Sequence, residues 1–225
     1  MRIHHKGLVR ATAAALLACA AAGTAGAATI VFDTTGRGWR SNGSVPSNGI
    51  SPANNYYAGE SPTGVPPTEY RNFFFFDPVF SGTVSSARLL FWVYSYASSD
   101  PMETYQVTSL GSTFGFNDLG TGTFYGSYDI QSSEAGSIIA IPLNAAAISN
   151  IVSGQTFRVG GRITTLNNPN DHREAVFTNS GGYAGSTRLE LTLADTVVPE
   201  PSSFALAGLG LLGIGLWGRR RMRAR

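Results

Sequence analysis

Arg188-Leu189-Glu190-Leu191-Thr192-Leu193 alternates polar and apolar residues without a break. Successive side chains of a β-strand point to opposite faces, so the three leucines lie on one face and the polar residues on the other. A helix would spread these leucines around its axis. The stretch is therefore a half-buried strand, and the rest of the middle of the chain reads in the same terms. Strands are expected at 29–33, 69–76, 88–96, 103–108, 122–128, 137–143, 156–163, 174–178 and 187–193, separated by runs of Gly, Ser, Thr and Asn. Two of them do not alternate. Phe73-Phe74-Phe75-Phe76 and Arg88-Leu89-Leu90-Phe91-Trp92-Val93-Tyr94 are apolar on both faces, so each face needs cover from a second sheet or from loops. One helix is expected, capped by Asn144, with Ile148, Ile151 and Val152 along one side and Gly154 at its end. Residues 36–67 are rich in Gly, Pro, Ser and Asn and read as a long surface loop. Many short strands and one short helix indicate an all-β fold, a jelly-roll-like β-sandwich over residues 28–195.

Charge is divided sharply along the 225 residues. Of the 16 Lys and Arg, three lie in the first ten positions and five in the last seven. The eight that remain in the middle face all 14 acidic residues, a net of −6 for a chain whose formal total is +2. An acidic domain repels a polyphosphate backbone, so nucleic acid is not an expected partner.

The N-terminus has the three parts of a secretory signal. Residues 1–10 are basic, 11–22 are uncharged and rich in Ala and Leu, and Ala25-Gly26-Ala27 fits a small-x-small cleavage site. Signal peptidase is expected to cut after Ala27, leaving residues 28–195 as the exported domain. The alternative of a retained membrane helix is weakened by a short run made mostly of alanine. Cys19, the only cysteine, lies inside this signal. Leu16-Leu17-Ala18-Cys19 loosely matches a lipoprotein acylation box, a second alternative that the conventional site after Ala27 outweighs. Cleavage there leaves no cysteine for a disulfide, a nucleophile or a thiolate metal site.

The C-terminal segment 196–225 has its own order: Val198-Pro199-Glu200-Pro201-Ser202, an uncharged span to Gly218 with Trp217 near its end, then Arg219-Arg220-Arg221. The 17 residues 202–218, as a single transmembrane helix, reach ~25 Å, the short limit for crossing a ~30 Å hydrocarbon core. The basic tail 219–225 would hold its end on the cytoplasmic side. Gly208, Gly210 and Gly213 fit a dinucleotide-binding spacing, but they lie within an apolar span instead of opening a helix after a strand, and carry no weight. This order of features resembles the PEP-CTERM sorting signal of Gram-negative bacteria. The resemblance implies an exosortase as processing partner and Pro199, Glu200 and Pro201 as its recognition residues. It also implies Arg219, Arg220 and Arg221 as the basic stop, passage through the inner membrane, and delivery to the surface or the extracellular matrix. Association with biofilm exopolysaccharide belongs to the same implication.

The middle domain carries a second resemblance. Arg71-Asn72-Phe73-Phe74-Phe75-Phe76-Asp77, Ser85-Ser86-Ala87-Arg88-Leu89-Leu90-Phe91, Ile139-Ala140-Ile141-Pro142-Leu143-Asn144 and Phe157-Arg158-Val159-Gly160-Gly161-Arg162-Ile163 follow in an order similar to the DNRLRE-type, carbohydrate-binding-module-like jelly rolls of secreted bacterial proteins. That resemblance implies a fold and a surface setting, not a catalytic site.

Little in the middle points to catalysis. His172 is the one histidine outside the signal, which excludes HExxH and any two-histidine metal site. It sits in a polar loop beside Asp171, and no Gly-x-Ser-x-Gly elbow accompanies it. Carboxylate pairs for glycoside cleavage are not marked by any pattern. Asn167-Asn168-Pro169-Asn170-Asp171 could offer oxygens to a structural calcium ion, but it misses the EF-hand spacing and reads first as a turn. No other cofactor or metal is expected. Arg71 and Arg173 read as partners of nearby acids. Aromatic faces that could stack on sugar rings are Trp39, Tyr56, Tyr57 and Tyr183, with Tyr125 and Tyr128 beside them; the competing role is packing at sheet margins with wet polar ends. The expectation is a non-enzymatic, exosortase-sorted surface or matrix protein, with a surface-held carbohydrate-binding module as the alternative and a polysaccharide-active enzyme behind it.

Overall fold

The computed structural model describes residues 27–43, 48–61, 68–166, 174–177 and 186–194. The signal 1–27 up to Gly26, the loop 167–171, His172, Arg173, Tyr183 and the whole segment 196–225 lie outside these residues. Among the described residues no helix is long and apolar enough to cross a membrane, and the span 202–218 is not among them.

Among the described residues twelve strands form two sheets: β1 (Thr29–Asp33), β2 (Gly36–Ser41), β3 (Ala58–Ser61), β4 (Thr68–Phe76), β5 (Val84–Val93), β6 (Tyr96–Ala97), β7 (Met102–Ser109), β8 (Phe124–Gln131), β9 (Ser137–Leu143), β10 (Phe157–Ile163), β11 (Ala175–Val176) and β12 (Thr187–Leu193). The smaller sheet runs β1-β12-β5-β9, and the larger contains β4-β10-β7-β8. In chain order these eight strands alternate between the sheets except at β7 and β8, which are successive neighbours in the larger one, and all their pairings are antiparallel. The fold is a jelly-roll β-sandwich. The one α-helix among the described residues, α1 (Ala145–Val152), lies between β9 and β10 with Ala147 and Ile151 buried. Asn144 caps it, its Oδ1 accepting from Ala147 N–H at 3.1 Å, as expected.

The alternation read from the sequence places the core. Leu189 and Leu191 are wholly buried, while Arg188 and Glu190 are half-buried on the other face. Opposite them, Phe74 and Phe76 point inward, and Phe74 meets Phe91 of β5 with ring centroids 4.7 Å apart. Phe73 and Phe75 point outward, and both are buried too. Their cover is the loop segment carrying Leu110, Phe114 and Leu119, with the Arg40 guanidinium 4.9 Å from the Phe73 ring and Arg158 5.4 Å from that of Phe75. The Phe run is thus covered by a sheet on one side and a loop on the other.

Two expectations need correction. Residues 36–67 are not one surface loop, because β2 and β3 lie within them. Periodicity could not announce these strands: Gly36-Arg37-Gly38-Trp39-Arg40-Ser41 has glycines where apolar residues would alternate. The glycines are needed for close approach, since a side chain at Gly38 would meet the Phe73 ring at 2.7 Å. Of the strand expected at 174–178, residue 178 lies outside the described residues and only Ala175–Val176 join the ladder, because Phe177 takes φ 64 and turns the chain out of it.

Register fixes where these additions sit. β2 borders β4 on one side from Tyr70 to Phe75. On the other side β4 pairs with β10 along Asn72–Phe76 and with β3 along Thr68–Tyr70. At the opposite margin of the molecule, Thr29 faces Thr192, and Leu193 N–H donates to Ala28 O at 2.8 Å. The chain enters and leaves the sandwich at the same end. Phe76 lies towards that end: it pairs with Phe157, which stacks on Tyr125 beside the Leu143–Ala87–Leu191 row. The Thr68 end of β4 therefore lies at the far end, where the Tyr56 hydroxyl donates to Trp92 O at 2.6 Å.

Candidate binding cleft

The inner face of the larger sheet continues past the smaller one. Along β2, Arg37 and Trp39 are on that face, opposite Phe74 and Asn72. Arg37 is buried and donates to the side-chain oxygens of Ser186 and Thr187 where β12 begins. Two residues on, Trp39 is half-exposed. On β4, Tyr70 shares the face with Asn72 and Phe74. Trp39 and Tyr70 meet edge to face at 5.2 Å, and Tyr57 meets Tyr70 edge to face at 4.5 Å. With Asn55 and Ser61 the three rings line a cleft of about 210 Å³.

The hydrogen bonds around this cleft determine one another. Trp39 N–H donates to Asn48 Oδ1 at 2.6 Å, so the Asn48 amide nitrogen points onward and donates to Asn55 Oδ1 at 2.9 Å. The Trp39 indole Nε1–H, which can only donate, gives to the same Asn55 Oδ1 at 2.8 Å. Asn55 Oδ1 is thereby doubly occupied, and its Nδ2 has no partner among the described residues. The Tyr70 hydroxyl has none there either. Burial raises the Tyr57 hydroxyl above its ordinary pKa, and a hydrogen bond shared with the Ser61 side chain pulls it back. Among the described residues the lining carries no charged side chain.

Of the sequence-expected stacking residues, Trp39 and Tyr57 are brought together here. Tyr56 is not available and that expectation is corrected. Its ring is fully buried against Phe74 and Phe177, the Arg37 guanidinium lies 4.9 Å from it, and burial raises its hydroxyl pKa. Consecutive residues in extended chain face opposite ways, so Tyr56 fills the core while Tyr57 fills the cleft. Tyr125 is likewise a core residue, stacked on Phe157 at 5.7 Å. Tyr128 is half-buried on β8 and donates to Glu134 Oε1 at 2.7 Å, away from the cleft. Tyr183 lies outside the described residues. Sequence reasoning missed Tyr70 and Asn55. Tyr70 was hidden by its place in the strand leading to the Phe run; Asn55, adjoining the Tyr56-Tyr57 pair, was the available signal.

Other polar places are occupied. Arg71 pairs with Glu69 at 2.7 Å and donates to Leu119 O at 3.0 Å, an acid partner as expected. Glu103 is buried and accepts from the Ser98 hydroxyl at 2.6 Å and from Thr165. Beside it the Tyr96 hydroxyl is pushed up to about 12, by burial first and then by Glu103. Among the described residues no group of three His, Cys, Asp or Glu is placed to hold a metal. A broader depression of about 550 Å³ is lined by Leu110, Ser112, Asn150, Gln155, Thr156 and Arg158, without an aromatic ring, and Arg158 is engaged with Phe75.

Known proteins resemble the chain at two levels. The cleaved adhesin domain K1 of Lys-gingipain from Porphyromonas gingivalis W83 is a solved structure similar to it at 11% identity, covering 75% of this chain and 99% of that one, with a TM-score of 0.30. That likeness is too low to argue from. No curated protein matches the chain. Residues 197–221 match the PEP-CTERM protein-sorting motif, which contains Pro199, Glu200 and Pro201 and is the mark of an exported protein processed at the membrane by an exosortase and displayed at the cell surface.

Proposed function

We propose that this chain is a non-catalytic surface or extracellular-matrix protein of a Gram-negative bacterium. Its jelly roll is exported by the signal ending at Ala27 and delivered through the motif at 197–221. The observation that carries this is the sorting motif placed directly after the last strand of the domain. In this reading signal peptidase acts first. The exosortase then recognises Pro199-Glu200-Pro201 while the span 202–218 crosses the inner membrane and Arg219, Arg220 and Arg221 hold its far end. Replacing residues 199–201 by alanine tests it: the expected result is an unprocessed precursor held in the membrane fraction. Unchanged size together with unchanged surface delivery would overturn it.

A second reading is favoured by a separate observation. The uncharged cleft of Trp39, Tyr57 and Tyr70 supports a carbohydrate-binding role for the delivered domain, with exopolysaccharide as its partner. Binding of this sort needs no catalytic group, which accords with the lack of a carboxylate among the described residues of the cleft lining.

A further inference from the structure

We propose that the cleft of Trp39, Asn55, Tyr57, Ser61 and Tyr70 holds a single uncharged sugar ring, its faces against the aromatic walls and its hydroxyls bonded by Asn55 Nδ2 and the Tyr70 hydroxyl. The proposal rests on the carbohydrate reading and is independent of how the protein is sorted.

Three features of the cleft specify this ligand class. The volume of about 210 Å³ lies below the ~300–1,000 Å³ of pockets for drug-sized ligands, and matches one ring better than two. Among the described residues the lining holds no charge, so the ionised group of a uronate or sulfated unit would lose its hydration without gaining an ion pair, a cost that a neutral ring does not carry. The polar groups offered are also ordered in advance. Asn55 cannot rotate its amide without setting Nδ2 against the indole N–H and the Asn48 amide, both donors. Its two N–H groups are therefore held outward and ready to donate to sugar oxygens. The Tyr70 hydroxyl, free of a partner among the described residues, both donates and accepts and so suits a ring hydroxyl.

The position of the cleft fits an exposed task. Trp39, Asn55, Tyr57 and Ser61 sit on β2, β3 and the segment between them, which are additions to the eight-stranded sandwich, while Tyr70 comes from β4 of the sandwich itself. The cleft opens at the end of the domain opposite the one where Ala28 and Leu193 bring the chain in and out.

The test uses full-length protein purified in detergent, on an array of neutral hexose- and N-acetylhexosamine-terminated oligosaccharides beside uronate-terminated ones. Binding confined to neutral termini is expected. Asn55→Asp keeps the acceptor for Trp39 Nε1 but replaces the outward donor with an acceptor, and is expected to weaken binding at least tenfold. Tyr70→Phe keeps the ring and should weaken it several-fold. If either variant fails to fold, titration of the parent with a monosaccharide that binds must shift the NMR signals of the Trp39 indole N–H and the Asn55 side-chain amide. No neutral binding, equal binding of uronates, unaltered binding in both folded variants, or unmoved signals at Trp39 and Asn55 would each overturn the site. Neutral binding left unaltered in both folded variants would overturn this site and leave the carbohydrate reading standing, whereas no binding to any oligosaccharide would overturn both.

Discussion

Replacing Tyr105 by phenylalanine removes one oxygen from the centre of the sandwich, and its effect can be worked out at two pH values. The Tyr105 hydroxyl, on a side chain 1% exposed, donates to Asn72 Oδ1 at 2.6 Å. Asn72 is itself fully buried, and its amide nitrogen donates to Tyr56 O at 3.2 Å. Tyr105→Phe keeps the aromatic ring and its contacts with Phe91 and Phe177, so little apolar burial is lost. It leaves a buried amide oxygen without a donor, which costs about 1–3 kcal/mol. Taking about 2 kcal/mol and a urea slope of about 2 kcal/mol per molar, the unfolding midpoint at pH 7 should fall by about 1 M with the slope unchanged. Burial also holds the Tyr105 hydroxyl far above its ordinary pKa of 10.0. The folded protein therefore keeps a proton that the unfolded chain releases above pH ~10. The stability tied to this proton is complete below pH ~10 and declines above it by about 1.4 kcal/mol per unit. Phenylalanine has no proton to release, so the variant escapes this decline. The gap between parent and variant should narrow by about 1 kcal/mol between pH 10 and pH 11, because the unfolded chain is already half ionised at pH 10. Urea titrations followed by circular dichroism at pH 7, 10 and 11 measure it. A variant as stable as the parent at pH 7, or a gap that stays constant to pH 11, would refute the reasoning.

Phe91→Ala empties the place where the sheets meet, since Phe91 is fully buried against Phe74, Tyr56, Tyr105 and Phe177; about 3–5 kcal/mol of stability should be lost, and a loss below ~1.5 kcal/mol in chemical denaturation would show that the core collapses around the gap. Gly59 has φ +118, and a side chain there would overlap Glu174 O, so Gly59→Ala should separate β3 from β11. Faster amide exchange at residues 58–61 and 175–176 is the expected sign, and unchanged protection would contradict it. Asn144→Ala removes the cap of α1 and should cost about 1 kcal/mol, read as a lower melting temperature without loss of the sandwich.

The core strands were legible because their constraint is local. Leu189, Leu191 and Leu193 declare their strand by spacing, and Asn144 declares its helix by the donor it must satisfy at Ala147. Residues 29–33, 137–143 and 187–193 were expected with the same bounds that the structure shows. The cleft was only half legible. Trp39 and Tyr57 could be named as aromatic residues in a polar stretch, but that stretch contains two strands whose glycines conceal any alternation.

What the sequence by itself determined is the all-β class of the middle, the position of the helix after Asn144, the acidic middle between basic ends, and the sorting motif at 197–221. Each follows from the period, charge or order of residues along the chain. What only the tertiary structure decided is which faces those residues share. Phe73 and Phe74 are alike in sequence, yet one is covered by a loop and the other by a sheet. Tyr56 and Tyr57 are alike too, yet one fills the core and the other a cleft with Trp39 and Tyr70. The pleat sends neighbours to opposite faces, but only the pairing of β2, β3 and β4, fixed by contacts distant in sequence, determines what each face meets.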